Sequence, residues 1–200
     1  GAAGGSSKGP TAESQTSTPA AATPQAVATS PIPVLPTLAD PAAIALVPQH
    51  GVLYGYDISL PETWKPSSLS GNGGYEIFDV PNTNGLLAGY VAILCAPPRA
   101  DAGTSKLLAD RLAAGTLAGG QVGSVDPAGV GDVQVGSLSA ATIKTTLALV
   151  PVAGRTYHYY IATPECGWEV ALSLFSPGDD APYWTLFDRI AQTFRPKGAG

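Results

Sequence analysis

Charge is what this sequence has least of. Asp, Glu, Lys and Arg make up 12% of its 200 residues, about half the share of an ordinary globular protein. Fifteen acidic and ten basic side chains give a net charge of −5. The basic residues are scattered, with only Arg195 and Lys197 close together. A nucleic-acid binder needs clustered Lys and Arg, so nucleic acid is not expected as a partner. No apolar run reaches the roughly 18–20 residues of a membrane-spanning helix. Catalytic motifs are missing as well: there is no HExxH, no Walker loop, no GxGxxG before a helix and no G-x-S-x-G elbow. Asp126, Asp132, Asp179 and Asp180 lack the spacing of an EF-hand. No cofactor and no metal are expected.

Cysteine is nearly absent too. Cys95 and Cys166 are too far apart for a CxxC redox motif or a zinc cluster. They are either two buried thiols or one disulfide, and the disulfide is the preferred reading. Closing a loop of about 70 residues would stabilise the fold by about 4 kcal/mol. Neither cysteine has Lys, Arg or His beside it to depress its pKa, so a reactive thiol is disfavoured.

What is abundant comes first in the chain. Residues 1–36 are mostly Gly, Ala, Ser, Thr, Pro and Gln, with Lys8 and Glu13 the only charges. Such a stretch cannot bury enough apolar surface to offset its ordering entropy, so a disordered tether is expected. The abrupt start has two explanations: an artificial boundary with a leftover glycine, or a mature exported protein whose signal has been removed, with a lipid-bearing cysteine before Gly1. The export reading is preferred, placing the protein outside the cytoplasm, in the cell envelope or secreted. A membrane would be reached only through such a lipid anchor.

From residue 37 to residue 197 a single folded domain is expected. Asp40-Pro41 reads as a helix start of one turn or two. Leu53–Leu60 alternates, with Tyr54, Tyr56, Ile58 and Leu60 on the core face, and Pro61 ends it. Tyr75–Val80 reads as a strand, and Leu86–Cys95 as a central strand buried on both faces. Thr104 or Ser105 caps a helix through Ala114, and Gly115, Gly119 and Gly120 end it. Residues 121–136 suggest a loop and a short strand. Ser139–Val150, Arg155–Thr163 and Trp168–Phe175, joined by Pro151–Gly154 and Pro164–Gly167, form an antiparallel meander. Asp179 and Asp180 cap a last helix with the stripe Trp184, Phe187, Ile190, Ala191 and Phe194, stopped by Pro196. The class is α+β, an antiparallel β-sheet covered by helices.

Two segments carry a resemblance. Tyr56-Asp-Ile-Ser-Leu-Pro-Glu-Thr-Trp64 opens the domain. Trp168-Glu-Val-Ala-Leu-Ser-Leu-Phe-Ser-Pro-Gly178, followed by Phe187–Phe194, closes it. This order is similar to the PsbP-like fold, shared by the photosystem extrinsic protein and by small actinobacterial exported lipoproteins of the LpqN/LpqT type. The resemblance covers about Leu53 to Pro196 and implies a binding or assembly role, usually without catalysis. It supplies no catalytic residues.

The candidate contact residues are aromatic. Tyr157, Tyr159, Tyr160, Trp168, Tyr183 and Trp184 read either as core between the last helix and the sheet or as an exposed groove for a glycan, lipid or peptide. Within the groove reading Trp64, Tyr159 and Tyr183 are the ligand-binding candidates; Trp184 has core spacing and Tyr183 lies one position off the stripe. Of the two histidines, His50 is expected to face water and His158 to be a structural residue in mid-strand. Two functions follow. The preferred one is a non-catalytic, monomeric, exported domain that binds a small molecule or an envelope protein. The other is a small extracytoplasmic hydrolase using His158, which requires a carboxylate or hydroxyl within hydrogen-bond reach.

Overall fold

In the computed structural model, residues 34–96, 105–113, 124–126, 128–147 and 154–197 are described, with 111 and 112 as backbone only. The strands in chain order are β1 (Leu46–His50), β2 (Tyr56–Pro61), β3 (Lys65–Pro66), β4 (Glu76–Pro81) and β5 (Leu87–Ala96), followed by β6 (Ser124–Val125), β7 (Gly131–Val135), β8 (Leu138–Leu147), β9 (Gly154–Ala162), β10 (Gly167–Leu174) and β11 (Arg195–Pro196). Helix α1 (Ser105–Ala113) follows β5, and α2 (Ala181–Ala191) follows β10. The large sheet has the order β3-β4-β5-β10-β9-β8-β6, with β7 also on β8; β1, β2 and β11 form a second sheet. All pairings are antiparallel. The fold is α+β, as the strand and helix periodicities imply.

Alternation builds the core. Tyr56, Ile58 and Leu60 of β2 are fully buried, as the sequence pattern requires. Trp168, Val170, Leu172 and Leu174 of β10 and Tyr157, Tyr159 and Ile161 of β9 point to the same core. Helix α2 closes it with Tyr183, Leu186, Phe187, Ile190 and Ala191, and Phe194 follows. Each such side chain contributes roughly 1.5–3 kcal/mol when removed from water. The buried stripe is therefore centred on 183–187–190 and not on 184: Tyr183 is inside and Trp184 half-buried. One residue is 100° of helix, enough to exchange the two.

Several local expectations change. At Asp40 there is a single turn, in which the carboxylate accepts the Ala42 N–H at 2.9 Å. Pro48 cannot serve a helix interior, and the chain instead pairs residue by residue with β2, from Leu46 opposite Pro61 to His50 opposite Asp57. The packed chain already includes Leu35, whose N–H donates to the Pro177 carbonyl at 2.9 Å. Gly178 sits opposite with φ 159°, and a Cβ there would come within 2.7 Å of the Leu35 side chain. Asp180 occupies the N-cap position of α2 without a side-chain cap bond. Its carboxylate instead receives Arg155 Nε at 2.8 Å and Arg155 Nη2 at 2.7 Å, while Asp179 accepts the Ala181 N–H at 3.1 Å. Pro196 lies in β11, opposite Tyr56. The stretch 121–136 holds two short strands, β6 and β7. Thr104, Pro97-Pro98, the glycines at 115, 119 and 120, and residues 151–153 lie outside the described residues.

The two faces of the large sheet are covered unequally. One carries the main core under α2 and the second sheet. On the other, α1 packs Ala109 and Leu108 against Ala141, Ile143 and Tyr160 of β8 and β9. Leu108 of α1 reaches as far as Gly167, the first residue of β10.

Candidate functional site

The pairing register defines a site on this second face. Ile77 of β4, Ala92 of β5, Ala171 of β10 and His158 of β9 are successive cross-strand neighbours and form one row. The two middle members carry only methyl groups, so the row dips at its centre. Glu169 and Tyr160 form the neighbouring row on one side; Tyr90, Ser173 and Thr156 form the one on the other. Tyr75, just before β4, closes the Glu169 end. The result is an open cleft of about 280 Å³.

Its polar groups are already connected. His158 Nδ1 lies 2.8 Å from Glu169 Oε1. A carboxylate only accepts, so Nδ1 carries the hydrogen, and in the neutral ring Nε2 accepts from the Thr145 hydroxyl at 3.1 Å. Tyr160 donates to Glu169 Oε1 and Tyr75 to Oε2, each at 3.3 Å. The His158 and Tyr160 rings are stacked at 5.9 Å. Burial first, and then the Glu169 carboxylate, hold the Tyr75 and Tyr160 hydroxyls far above the ordinary phenol range. Both are protonated donors at any physiological pH. At the opposite end Thr156 Oγ1 and Ser173 Oγ lie 3.0 Å apart.

The aromatic residues expected to bind ligand are elsewhere. Trp64, Tyr159 and Tyr183 keep 4%, 3% and 2% of their surface, and all three belong to the main core on the opposite side of the sheet. Tyr159 donates to Asp188 at 2.5 Å and Tyr183 to the Pro36 carbonyl at 2.9 Å, so their polar ends are satisfied internally. That burial corrects the expectation of an exposed groove at these positions: proline brackets around Trp64 direct it inward rather than out. Tyr157, Trp168 and Phe187 complete the same cluster. His50 is exposed as expected, in β1 and paired with Asp57 at 2.6 Å. Cys95 and Cys166 form a disulfide. No group of three or more metal-ligating side chains occurs among the described residues.

The cleft residues Tyr75, Tyr90, Ala92, Glu169, Ala171 and Ser173 went unnoticed as a set in the sequence. Part of the signal was there: β10 alternates Trp168, Val170, Leu172 with Glu169, Ala171, Ser173, one face large and apolar, the other small and polar. Their meeting with Tyr75 and Tyr90 depends on β5 lying beside β10, a pairing between strands more than 70 residues apart and invisible to local periodicity.

No protein-family profile matches this chain, and no curated protein is similar to it in sequence. Solved structures are similar in shape. The Saccharomyces cerevisiae Ran-binding protein Mog1p superposes with a TM-score of 0.56 at 7% identity, over 77% of this chain and 96% of that one. Cyanobacterial PsbP (CyanoP) from Synechocystis sp. PCC 6803 gives 0.53 at 13% identity, over 76% and 93%. The chain has the PsbP-like fold. Two further likenesses fall below 0.5 and carry no argument: LpqN of Mycobacterium tuberculosis, at 0.44 and 16% identity over 76% of this chain and 91% of that one, and a Bacteroides thetaiotaomicron structure at 0.49 and 13% identity over 72% of this chain, which spans 46% of that chain's length.

Proposed function

We propose that this chain is an extracytoplasmic binding domain, held to the cell envelope by its low-complexity N-terminal stretch, and that its ligand occupies the cleft above Ala92 and Ala171. One observation carries this reading: a hollow made by two adjacent alanines, with hydrogen-bonding groups on both sides, on the sheet face opposite the main core. A small molecule, or a single side chain of a partner protein, suits about 280 Å³. The disulfide supports an oxidising compartment. A lipid anchor ahead of the N-terminal stretch belongs to the same proposal. Partitioning of the protein from its source cells into the detergent-rich phase tests it.

The binding reading is tested by the native mass of the protein isolated from its source cells, beside an Ala171→Leu variant. A ligand of a few hundred daltons or less is expected on the unaltered protein, lost on denaturation and absent from the variant. Equal occupancy of both would remove the cleft as the site.

A second reading rests on a specific contact. Thr145, His158 and Glu169 form a hydroxyl–imidazole–carboxylate chain, the order of nucleophile, base and orienter. The hydrolase reading therefore meets its geometric requirement. Against it, Thr145 lies within β8 with Thr156 on one side and Val125 on the other, so its backbone donors belong to the ladders rather than to an oxyanion. Thr145→Val and His158→Ala should leave any ester hydrolysis by the chain unchanged; a loss on the order of 100-fold in both would make this an enzyme.

A further inference from the structure

We propose that the ligand of the cleft is a small organic cation, with its ammonium group at Glu169 and its hydrocarbon body over Ala92 and Ala171. This rests on the cleft being the binding site.

The charge of the lining comes first. Among the described residues Glu169 is its one carboxylate, and no Lys or Arg lines it. A phosphate, a carboxylate or a fatty acid would meet a like charge with no Lys or Arg among the described lining residues to offset it, and His158 is already turned to Glu169. Glu169 also has capacity left. Its Oε1 receives His158 and Tyr160, whereas among the described residues Oε2 has only the 3.3 Å bond from Tyr75. A carboxylate oxygen has two lone-pair sites, so Oε2 accepts a further, stronger donor or a bare positive charge.

The aromatic walls agree. Tyr75 borders the cleft at the Glu169 end and Tyr90 at the Ser173 end. An aromatic face is the negative pole of the ring quadrupole, so an ammonium beside Glu169 has Tyr75 as its aromatic neighbour. Tyr90 is held by Phe175, with ring centroids 6.0 Å apart. Asp79, the cross-strand neighbour of Tyr90, lies outside the lining at the end away from Glu169, and its Oδ1 is buried without a hydrogen-bond partner among the described residues. Lys65, opposite Asp79 on β3, is exposed and forms no ion pair with it among the described residues.

The length of the cleft sets the shape of the guest. Glu169 and Ser173 are four residues apart on one face of β10, roughly 13 Å at a strand rise of about 3.3 Å per residue. A cation bound at Glu169 therefore places an apolar segment over the two methyl groups and reaches Ser173 and Thr156 only if it carries a hydroxyl or carbonyl at its far end. Volume limits it to on the order of ten non-hydrogen atoms, from the roughly 30 Å³ share of a water molecule.

The test uses the full chain, with isotope labelling and amide shifts of Ala92 and Ala171 as the readout. Butylammonium and tetramethylammonium are titrated beside neutral butanol and anionic butyrate. Saturable shifts are expected for the two cations, with butanol and butyrate at least 10-fold weaker. Glu169→Gln should weaken the cations about 10-fold or more, whereas Tyr90→Leu, in the Ser173 row and away from the His158–Glu169 pair, should leave them within about 2-fold. The reverse order would overturn the placement of the ammonium at Glu169. Butanol or butyrate binding as well as the cations would overturn the cation while leaving the cleft as a site. Failure of all four probes to shift the cleft amides, or identical shifts in Ala171→Leu, would remove the cleft itself. An Nα-acetyl-lysine amide binding more tightly than butylammonium would assign the cation to a partner's lysine, and a weaker one to a free amine; the cation stands in both.

Discussion

At the scale of single residues, small side chains decide more here than large ones. Ala92 and Ala171 make a cleft because their neighbours in the rows on either side are larger; Gly178 makes room for Leu35. The second case gives a direct prediction. Gly178→Ala combines a backbone conformation unfavourable to an L side chain with a contact of 2.7 Å to Leu35. It should destabilise the protein by about 1–3 kcal/mol, measured as a lower midpoint in urea with an unchanged slope. Ala171 is itself 4% exposed at the floor of the cleft, and Ala171→Leu extends into the cleft volume, so stability should stay within about 1 kcal/mol of the parent. A severe loss there would mean that the alanine row is closed core.

At the scale of elements, the closing segment of the chain organises the molecule. β10 lies between β5 and β9, presents Trp168 to one face and Glu169 to the other, and leads through the Arg155–Asp180 pair into α2. The disulfide ties its entry to β5 at the position where Cys95 stands opposite Trp168. Removing it with Cys95→Ala and Cys166→Ala together frees a loop spanning 71 residues, and about 4 kcal/mol of stability should be lost. Equilibrium unfolding of the double variant against the oxidised parent measures it; a difference under about 1 kcal/mol would show that the strand pairing alone restrains the unfolded chain.

At the scale of the whole molecule, tyrosine dominates the response to alkali. Burial raises the hydroxyls of Tyr56, Tyr75, Tyr157, Tyr159, Tyr160 and Tyr183, the last to about 12. The unfolded chain releases these protons near pH 10 while the folded chain keeps them. The unfolded state then binds fewer protons, so stability falls as pH rises. The contribution is fully present below pH 10 and for Tyr183 is lost between about 10 and 12. Phenolate absorbance should therefore lag behind free tyrosine and then rise together with the loss of the folded circular-dichroism signal. Smooth titration of most tyrosines near pH 10 with the fold intact would contradict the buried core.

Much of this architecture was legible in the sequence, because alternation and helical spacing are local. Tyr56, Ile58 and Leu60 declared their face, and the meander of β8, β9 and β10 followed from short turns between apolar runs. The abundance of polar, uncharged residues and the two isolated cysteines pointed to a disulfide-bonded domain, and the pair is formed. The ligand cleft was not legible. Whether an aromatic residue is wall or core depends on what packs over it, and periodicity places Tyr183 and Trp184 only to within one residue. The sequence by itself determined which residues could be buried and which strands follow one another. Only the tertiary structure decided that β5 lies beside β10, that α1 packs on β8 and β9, and that Glu169 meets His158, because those outcomes rest on contacts between distant segments that compete for the same sheet.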